Sequence, residues 1–249
     1  MTDTPTTTPS HIAAGKPAGS TDLIVERRHR LSTQLAPPKG GVLVDFGCGN
    51  GAQTILFADQ FDTIIGVDIE GSTLEELESL AAAHASRGPV AAVTFDGREL
   101  PLANDSVDYI VSFEVLEHVH DERKALSEIA RVLKPGATLV MSVPNRWWIF
   151  ETHGAALPLL PWNRVPFFSW LPKPIHDRWA HARIYSRREI VRKINDAGLE
   201  VAISTYITAP MDVVKSESIQ SFLRKTVFRG DRTPVPFLST AVLVVAKKR

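Results

Sequence analysis

Between Gly41 and Asn145 the apolar and polar positions follow two alternating periods. Short apolar runs, VLVDF (42–46), TIIGVD (63–68), AAVTFD (91–96), VDYIVS (107–112) and ATLVMSV (137–143), have the length and β-branched content of buried strands. Between them lie helical patterns: 52–61, then STLEELESLAAAHA (72–85) with Ser72 as N-cap, and DERKALSEIARVL (121–133), which Lys134-Pro135-Gly136 ends. Strands alternating with helices predict a parallel sheet covered on both faces. A further helix is expected over 186–197, with Ser186 as N-cap and Gly198 as its stop. LEVAISTYI (199–207) and TAVLVVAKK (240–248) read as the last two strands. About thirty residues separate them, long for a hairpin loop, so 209–238 is expected to add a small helix and a second flap.

The pattern breaks after the fifth strand. Six prolines lie between Pro144 and Pro174, and all five tryptophans of the chain lie between Trp147 and Trp179. We read 145–180 as a proline-stiffened insertion that caps the domain or closes over a bound acceptor. Its tryptophan faces suit sugar rings or quinones, and its exposed apolar groups with nearby arginines and lysines suit peripheral contact with a membrane surface.

Composition narrows the classes. The chain has 249 residues, 44% hydrophobic and 22% charged, which fits one large domain over 21–249 with a substantial core. Formal net charge is zero, so nothing global favours nucleic acid. The basic clusters, ERRHR (26–30) among them, are read as solvated helix faces. The single cysteine, Cys48, excludes an intramolecular disulfide and suits a reducing compartment. No apolar run is long enough to span a membrane, and residues 1–20 lack the features of a secretory signal. Their Thr, Pro, Ser and Gly content predicts a disordered tail, and the protein is expected to be cytoplasmic.

The chemistry concentrates in VLVDFGCGNG (42–51), a buried strand running into Gly47, Gly49 and Gly51 with a helix directly after. Glycines allow a sharp turn and close approach to a ligand, and a helix N-terminus favours an anionic group. The spacing is G-x-G-x-G and not the dinucleotide G-x-G-x-x-G, and Asp45 precedes the first glycine by two. Cys48, with no base adjacent in sequence, is read as a small loop residue. Asp68 and Asp96 each close a strand, where ligands of such sheets bind, and Asp68 could accept hydrogen bonds from ribose hydroxyls.

These residues, with IGVDIE, TFDGRELPLANDSVDYIVSFEVLEHV and ALSEIARVLKPGATLVMSVPN, resemble the class I S-adenosylmethionine-dependent methyltransferases over 42–145. The resemblance implies a Rossmann-like doubly wound sheet of seven strands, mostly parallel, with an antiparallel last strand. It implies S-adenosylmethionine as cofactor, its methionine part over Gly47–Gly51, its ribose on Asp68, and its adenine facing Asp96 and Gly97 with Ile69 on the ring. Glu114 is implied near the methionine end or the acceptor.

No N-P-P-Y or D-P-P-Y signature of nucleic-acid amino methyltransferases follows the fourth strand. In its place stands FEVLEHVH (113–120), whose Glu114, Glu117 and His118 are similar to a Glu-x-x-Glu-His motif of ubiquinone-biosynthesis O-methyltransferases. Those three could ligate Mg²⁺ or Mn²⁺, or Glu117 could cap a helix while His118 orients the acceptor. His153 and His176 are further candidate acceptor-pocket groups, His181 a weaker one, and His120 is read as surface. The leading expectation is an O-methyltransferase for a sugar, glycan or related small hydroxyl acceptor, with His118, His153 and His176 as catalytic candidates. A phenolic, quinone-type or lipid-linked acceptor is the enzymatic alternative, and a non-catalytic cofactor-binding module the alternative of another class.

Overall fold

The computed structural model describes residues 22–69, 71–84, 88–157 and 165–249. The expected tail at 1–20, and 158–164 of the insertion, lie outside the described residues. In chain order the elements are α1 (Leu23–Leu35), β1 (Val42–Phe46), β2 (Thr63–Asp68), α2 (Gly71–Ala83), β3 (Val90–Thr94), β4 (Val107–Phe113), α3 (Glu122–Val132) and β5 (Leu133–Pro144). There follow α4 (Lys173–Trp179), α5 (Arg187–Asp196), β6 (Leu199–Thr208), α6 (Glu217–Lys225), β7 (Arg232–Thr233) and β8 (Ser239–Lys248). No described helix is long and apolar enough to cross a membrane.

The strands form one sheet in the order β3-β2-β1-β4-β5-β8-β6-β7. The first five are mutually parallel, and β8 runs antiparallel to both β5 and β6. The fold is therefore the expected Rossmann-like α/β one. The count is eight and not seven, because the two-residue β7 pairs antiparallel with the end of β6. On one face α3 (Leu126, Ile129, Val132) and α5 (Ile190, Ile194) pack on Val44, Ile110, Leu139 and Val244. On the other, Leu31 of α1 joins Phe57 and Phe61 against Leu43, Tyr109 and Leu243. α5 begins as expected, Ser186 accepting from the Glu189 amide at 3.2 Å, and α3 begins one residue later than expected, with Asp121 as its cap accepting from the Lys124 amide at 3.0 Å.

Several expectations require correction. The helix expected over 52–61 is a 3-10 turn, Thr54–Phe57, flanked by turns. Its amides reach back three residues from Leu56, Ala58 and Gln60, and four from Ile55, while Thr54 Oγ1 is drawn down to Asp45 at 2.6 Å. Ser72 lies inside α2, which begins at Gly71. The third strand ends at Thr94, leaving Asp96 in the loop beyond it. Lys134-Pro135-Gly136 does not form a separate turn but opens β5, with a register shift against β4. The short α4 lies within the proline-rich segment, where no helix is expected and Pro174 occupies its first turn.

The larger correction is α1, whose arginines were read as solvated. Val25, Arg28, Leu31 and Ser32 fall on its buried side, and Arg27 is 4% exposed. Arg27 donates to the carbonyls of Thr208, Ala209 and Phe228 at 2.7, 2.9 and 3.0 Å, tying α1 to the end of β6. Removing that fork strands three carbonyls. Arg27→Met should therefore lower stability by about 3 kcal/mol in urea denaturation, while Arg30→Met, whose pair with Asp231 is half in solvent, should cost about 1 kcal/mol or less.

Asp45 supplies a second test. Burial raises its carboxyl from the ordinary value near 3.8 to about 7, against the Thr54 hydrogen bond and with help from Asp68. The folded chain then holds this proton where the unfolded chain has released it, so stability should fall as pH rises from about 4 to about 7, by up to about 1.4 kcal/mol per pH unit. Asp45→Asn should remove that slope in denaturation curves taken stepwise through the window.

Candidate active site

Because β1 to β5 are parallel, their carboxyl ends share one edge of the sheet. A cavity of about 1320 Å³ opens there. That exceeds the upper range of a pocket for one small ligand, about 1,000 Å³, and leaves room for two.

Its floor is the loop after β1. Gly47, Gly49 and Gly51 all have positive φ, at 78°, 51° and 81°. A Cβ on Gly47 would collide with Val115, and one on Gly51 with Leu77. The Gly49 amide donates to Asp68 Oδ2 at 2.8 Å and the Ile69 amide to Oδ1 at 2.7 Å, so the last residue of β2 holds the loop in place. Cys48 packs against Leu74 and Leu77, and burial pushes its thiol up, the state of an inert packing residue. Ile69 projects 61% exposed at the cavity wall. Asp96 accepts the amides of Arg98 and Glu99 on Oδ1, and the Arg98 bond holds its carboxyl below the usual range. Of the ten residues expected at the cofactor, nine line the cavity: Asp45, Gly47, Cys48, Gly49, Asp68, Ile69, Asp96, Gly97 and Glu114. Gly51 lies below it, where its missing side chain lets α2 pack.

The loop after β4 supplies the second half. Glu114 takes φ of 57°, its amide bonded to the Ser142 carbonyl at 3.0 Å. Its carboxylate accepts from Ser142 Oγ at 3.1 Å and lies 3.3 Å from Arg28. Burial raises its carboxyl, and Arg28 opposes the rise. Glu117 is wholly buried behind the cavity wall, and neither of its oxygens receives a hydrogen bond among the described residues. Burial first, and Glu114 second, push its carboxyl well above the ordinary value. Its Oε1 lies 3.5 Å from His153 Nε2 and 3.9 Å from His118 Nε2. The two imidazoles meet edge to face at 4.8 Å and both line the cavity.

This differs from the expected ligand set. Glu117 and His118 come together as read, but the third group near them is His153, while Glu114 is taken by Arg28 and Ser142. His176 does not reach the cavity. It is fully buried, with Nε2 2.8 Å from Glu151 and Nδ1 3.1 Å from Asp177. Burial disfavours its proton, but Asp177 and Glu151 outweigh that and raise its pKa. His181 lines the cavity despite its lower ranking, and His120, exposed as expected, also borders it. Arg28 was missed, although its spacing from Val25 and Leu31 put it on the apolar side of a helical pattern.

The insertion rests on the 209–238 segment. Trp148 and Phe150 pack with Met211, Phe228 and Leu223, and Asn145 donates to the carbonyls of Pro236 and Ser239. Trp148, Phe150, Thr152 and Met211 wall the cavity opposite the glycine loop.

Comparison with known proteins supplies the family. Residues 44–141 match the family model described as a methyltransferase domain. A probable S-adenosylmethionine-dependent methyltransferase of Mycolicibacterium smegmatis is 30% identical over 178 residues, 70% of this chain and 59% of that protein. The O-methyltransferase resE of Aspergillus sclerotiorum is 32% identical over 123 residues, 49% of this chain and 47% of that protein. The chain thus spans about half the length of the curated relatives it matches. An S-adenosylmethionine-dependent methyltransferase of Mesorhizobium loti shares the fold, with a TM-score of 0.61 at 19% identity over 92% of this chain and all of that one. The domain match over 44–141 and the relatives support a class I S-adenosylmethionine-dependent methyltransferase domain in this chain, and the solved structure shows the same fold.

Proposed function

We propose that the protein is an S-adenosylmethionine-dependent O-methyltransferase acting on a hydroxyl of a sugar, glycan or related small molecule. The observation that carries this reading is the buried Glu117 carboxylate set against the two cavity-lining imidazoles, His118 and His153. The residues present fit the cofactor: a loop too tight for side chains at Gly47, an acceptor carboxylate at Asp68, and an exposed apolar face at Ile69. When bound, the cofactor supplies a methyl group already activated on a sulfonium. The protein must then align the acceptor and manage its proton. Asp68 would hold the ribose hydroxyls, Asp96 and Gly97 the adenine edge, and Ile69 its face. Asp45, almost wholly buried at the cavity floor, would act chiefly through its hydrogen bond with Thr54 and the loop above. Glu114 with Arg28 would border the reacting end. His118 and His153 would meet the acceptor hydroxyl, and Trp148 and Phe150 would keep water from it. His176 would serve as a strut of the lid and not as a base.

A phenolic, quinone-type or lipid-linked acceptor is the second reading, favoured by one observation. Phe167, Trp170, Trp147 and Phe237 form an exposed run of touching rings, and Arg146 reaches the Leu171 carbonyl at its border. Separately, α6 buries no side chain and exposes Ile219 and Phe222. Such a surface suits peripheral contact with anionic lipid.

Asp68→Ala should weaken cofactor binding roughly 30-fold by calorimetry, as expected for lost charge-assisted hydrogen bonds. Unchanged affinity would refute the cofactor placement. Labelled methyl transfer to a panel of saccharides and catechols should favour saccharides, and tight cofactor binding without transfer to any acceptor would leave a non-catalytic module. In flotation with anionic vesicles the protein should rise with the lipid and Phe167→Ala/Trp170→Ala should not; a wild type that stays at the bottom removes the membrane reading.

A further inference from the structure

A fully buried carboxylate without a hydrogen-bond donor is an expensive arrangement, and a chain keeps one where a proton or a cation completes it. Glu117 is such a group, 0% exposed with both oxygens unbonded among the described residues. The imidazoles beside it do not serve as its donors, because 3.5 and 3.9 Å exceed hydrogen-bond length. The 3.5 Å separation matches the spacing of two ligands around one ion, and the 3.9 Å one is slightly longer than that spacing. Ligand atoms about 2.1 Å from one ion stand about 3.0 to 3.5 Å from each other in octahedral or tetrahedral geometry. One carboxylate oxygen of Glu117 and one ring nitrogen each of His118 and His153 all lie within 4.8 Å of one another, so closing of the two loops on an ion brings them onto one centre.

We propose that Glu117, His118 and His153 form a three-ligand site for a divalent first-row transition ion, Zn²⁺ or Mn²⁺ in preference to Mg²⁺. The donor set makes the choice. Two imidazoles and one carboxylate suit zinc, manganese or iron, whereas magnesium asks for oxygen ligands. Glu114, the second oxygen donor a magnesium site would need here, is held by Arg28 and Ser142. The three ligands leave coordination positions open, and both imidazoles face the cavity. An oxygen donor of the acceptor fits those positions, and a bound hydroxyl would lose its proton more readily there. That chemical use rests on the methyl-transfer reading above; the site itself does not. Under it the two histidines become ligands and not bases.

The ligands come from two places. Glu117 and His118 sit in the turn after β4, closed by the His118 amide on the Val115 carbonyl, and His153 comes from the insertion after β5. A bound ion therefore cross-links the insertion to the sheet edge, which gives a readout independent of catalysis.

The full chain, stripped with chelator, is titrated with Zn²⁺, Mn²⁺ and Mg²⁺ by calorimetry. One equivalent of Zn²⁺ or Mn²⁺ should bind, at least tenfold tighter than Mg²⁺. Glu117→Gln and His153→Ala should each weaken binding at least 30-fold, and His120→Asn, a nearby histidine outside the set, less than threefold. Cofactor affinity reports that each variant is folded, and His153→Ala, in a partly exposed loop, carries the test if Glu117→Gln fails to fold. Ion should slow proteolysis of the 145–180 segment severalfold in the wild type and not in His153→Ala. Sub-stoichiometric binding, equal affinity in the variants, or a preference for Mg²⁺ overturns the site. Methyl transfer that persists in chelator with no ion bound overturns the ion's chemical use while upholding the transferase; stoichiometric ion with no transfer upholds the site and overturns the transferase.

Discussion

The 2.8 Å bond from the Gly49 amide to the Asp68 carboxylate joins the first two strand ends, and the site is built outward from it. Parallel pairing of Phe46 with Val67 brings the two ends level, and the loop must then turn at once to avoid Val115 on one side and Leu77 on the other. Only residues without side chains make that turn at Gly47 and Gly51. Asp68 thus has two duties: it fixes the loop through backbone amides and presents its remaining lone pairs to the cavity. A loop held by backbone bonds needs no rearrangement when a ligand arrives, which lowers the entropy lost on binding.

The same edge concentrates charge that the core would otherwise exclude. Asp45, Glu114 and Glu117 all sit where burial raises their carboxyl groups. Each has a different answer. Asp45 takes a hydroxyl from Thr54, Glu114 takes Arg28 from α1, and Glu117 takes no protein donor among the described residues. Sheet packing on both faces supplies the stability that lets such groups persist. The unanswered acid is the one beside two imidazoles, which is why function is better sought there than at the better-satisfied pairs.

The parallel half of the sheet and the cofactor edge are readable in the sequence because β1, β2 and β4 are largely apolar runs that end at a glycine or an acid, a pattern that one physical requirement explains. Periodicity also contains α1, but three arginines in five residues mask the apolar side marked by Val25 and Leu31, because charge ordinarily signals solvent exposure. Arg27 shows the flaw: a guanidinium can be buried when three carbonyls receive it, even with its Nε left unbonded among the described residues. His153 and His176 could not be told apart from the chain alone. Both lie in proline-rich sequence, and only tertiary placement sends one toward Glu117 and the other into a buried pair with Glu151. Asp96 was legible as a strand-end acid, yet the strand stops two residues earlier and the loop carries it.

The insertion after β5 and the segment before β8 depend on each other. Asn145 leaves β5 and donates to carbonyls at 236 and 239, Trp148 packs on Met211 and Phe228, and Arg27 bonds the Phe228 carbonyl from α1. A change in any one of these should therefore be felt by the cavity wall. The coupling has a direction, because α1 reaches the cavity through Arg28 while it anchors the β6 end through Arg27. Two adjacent residues on one helix thus fix the roof by backbone bonds and border the reacting end by charge, so the position of the acceptor wall is set from the same element that flanks Glu114.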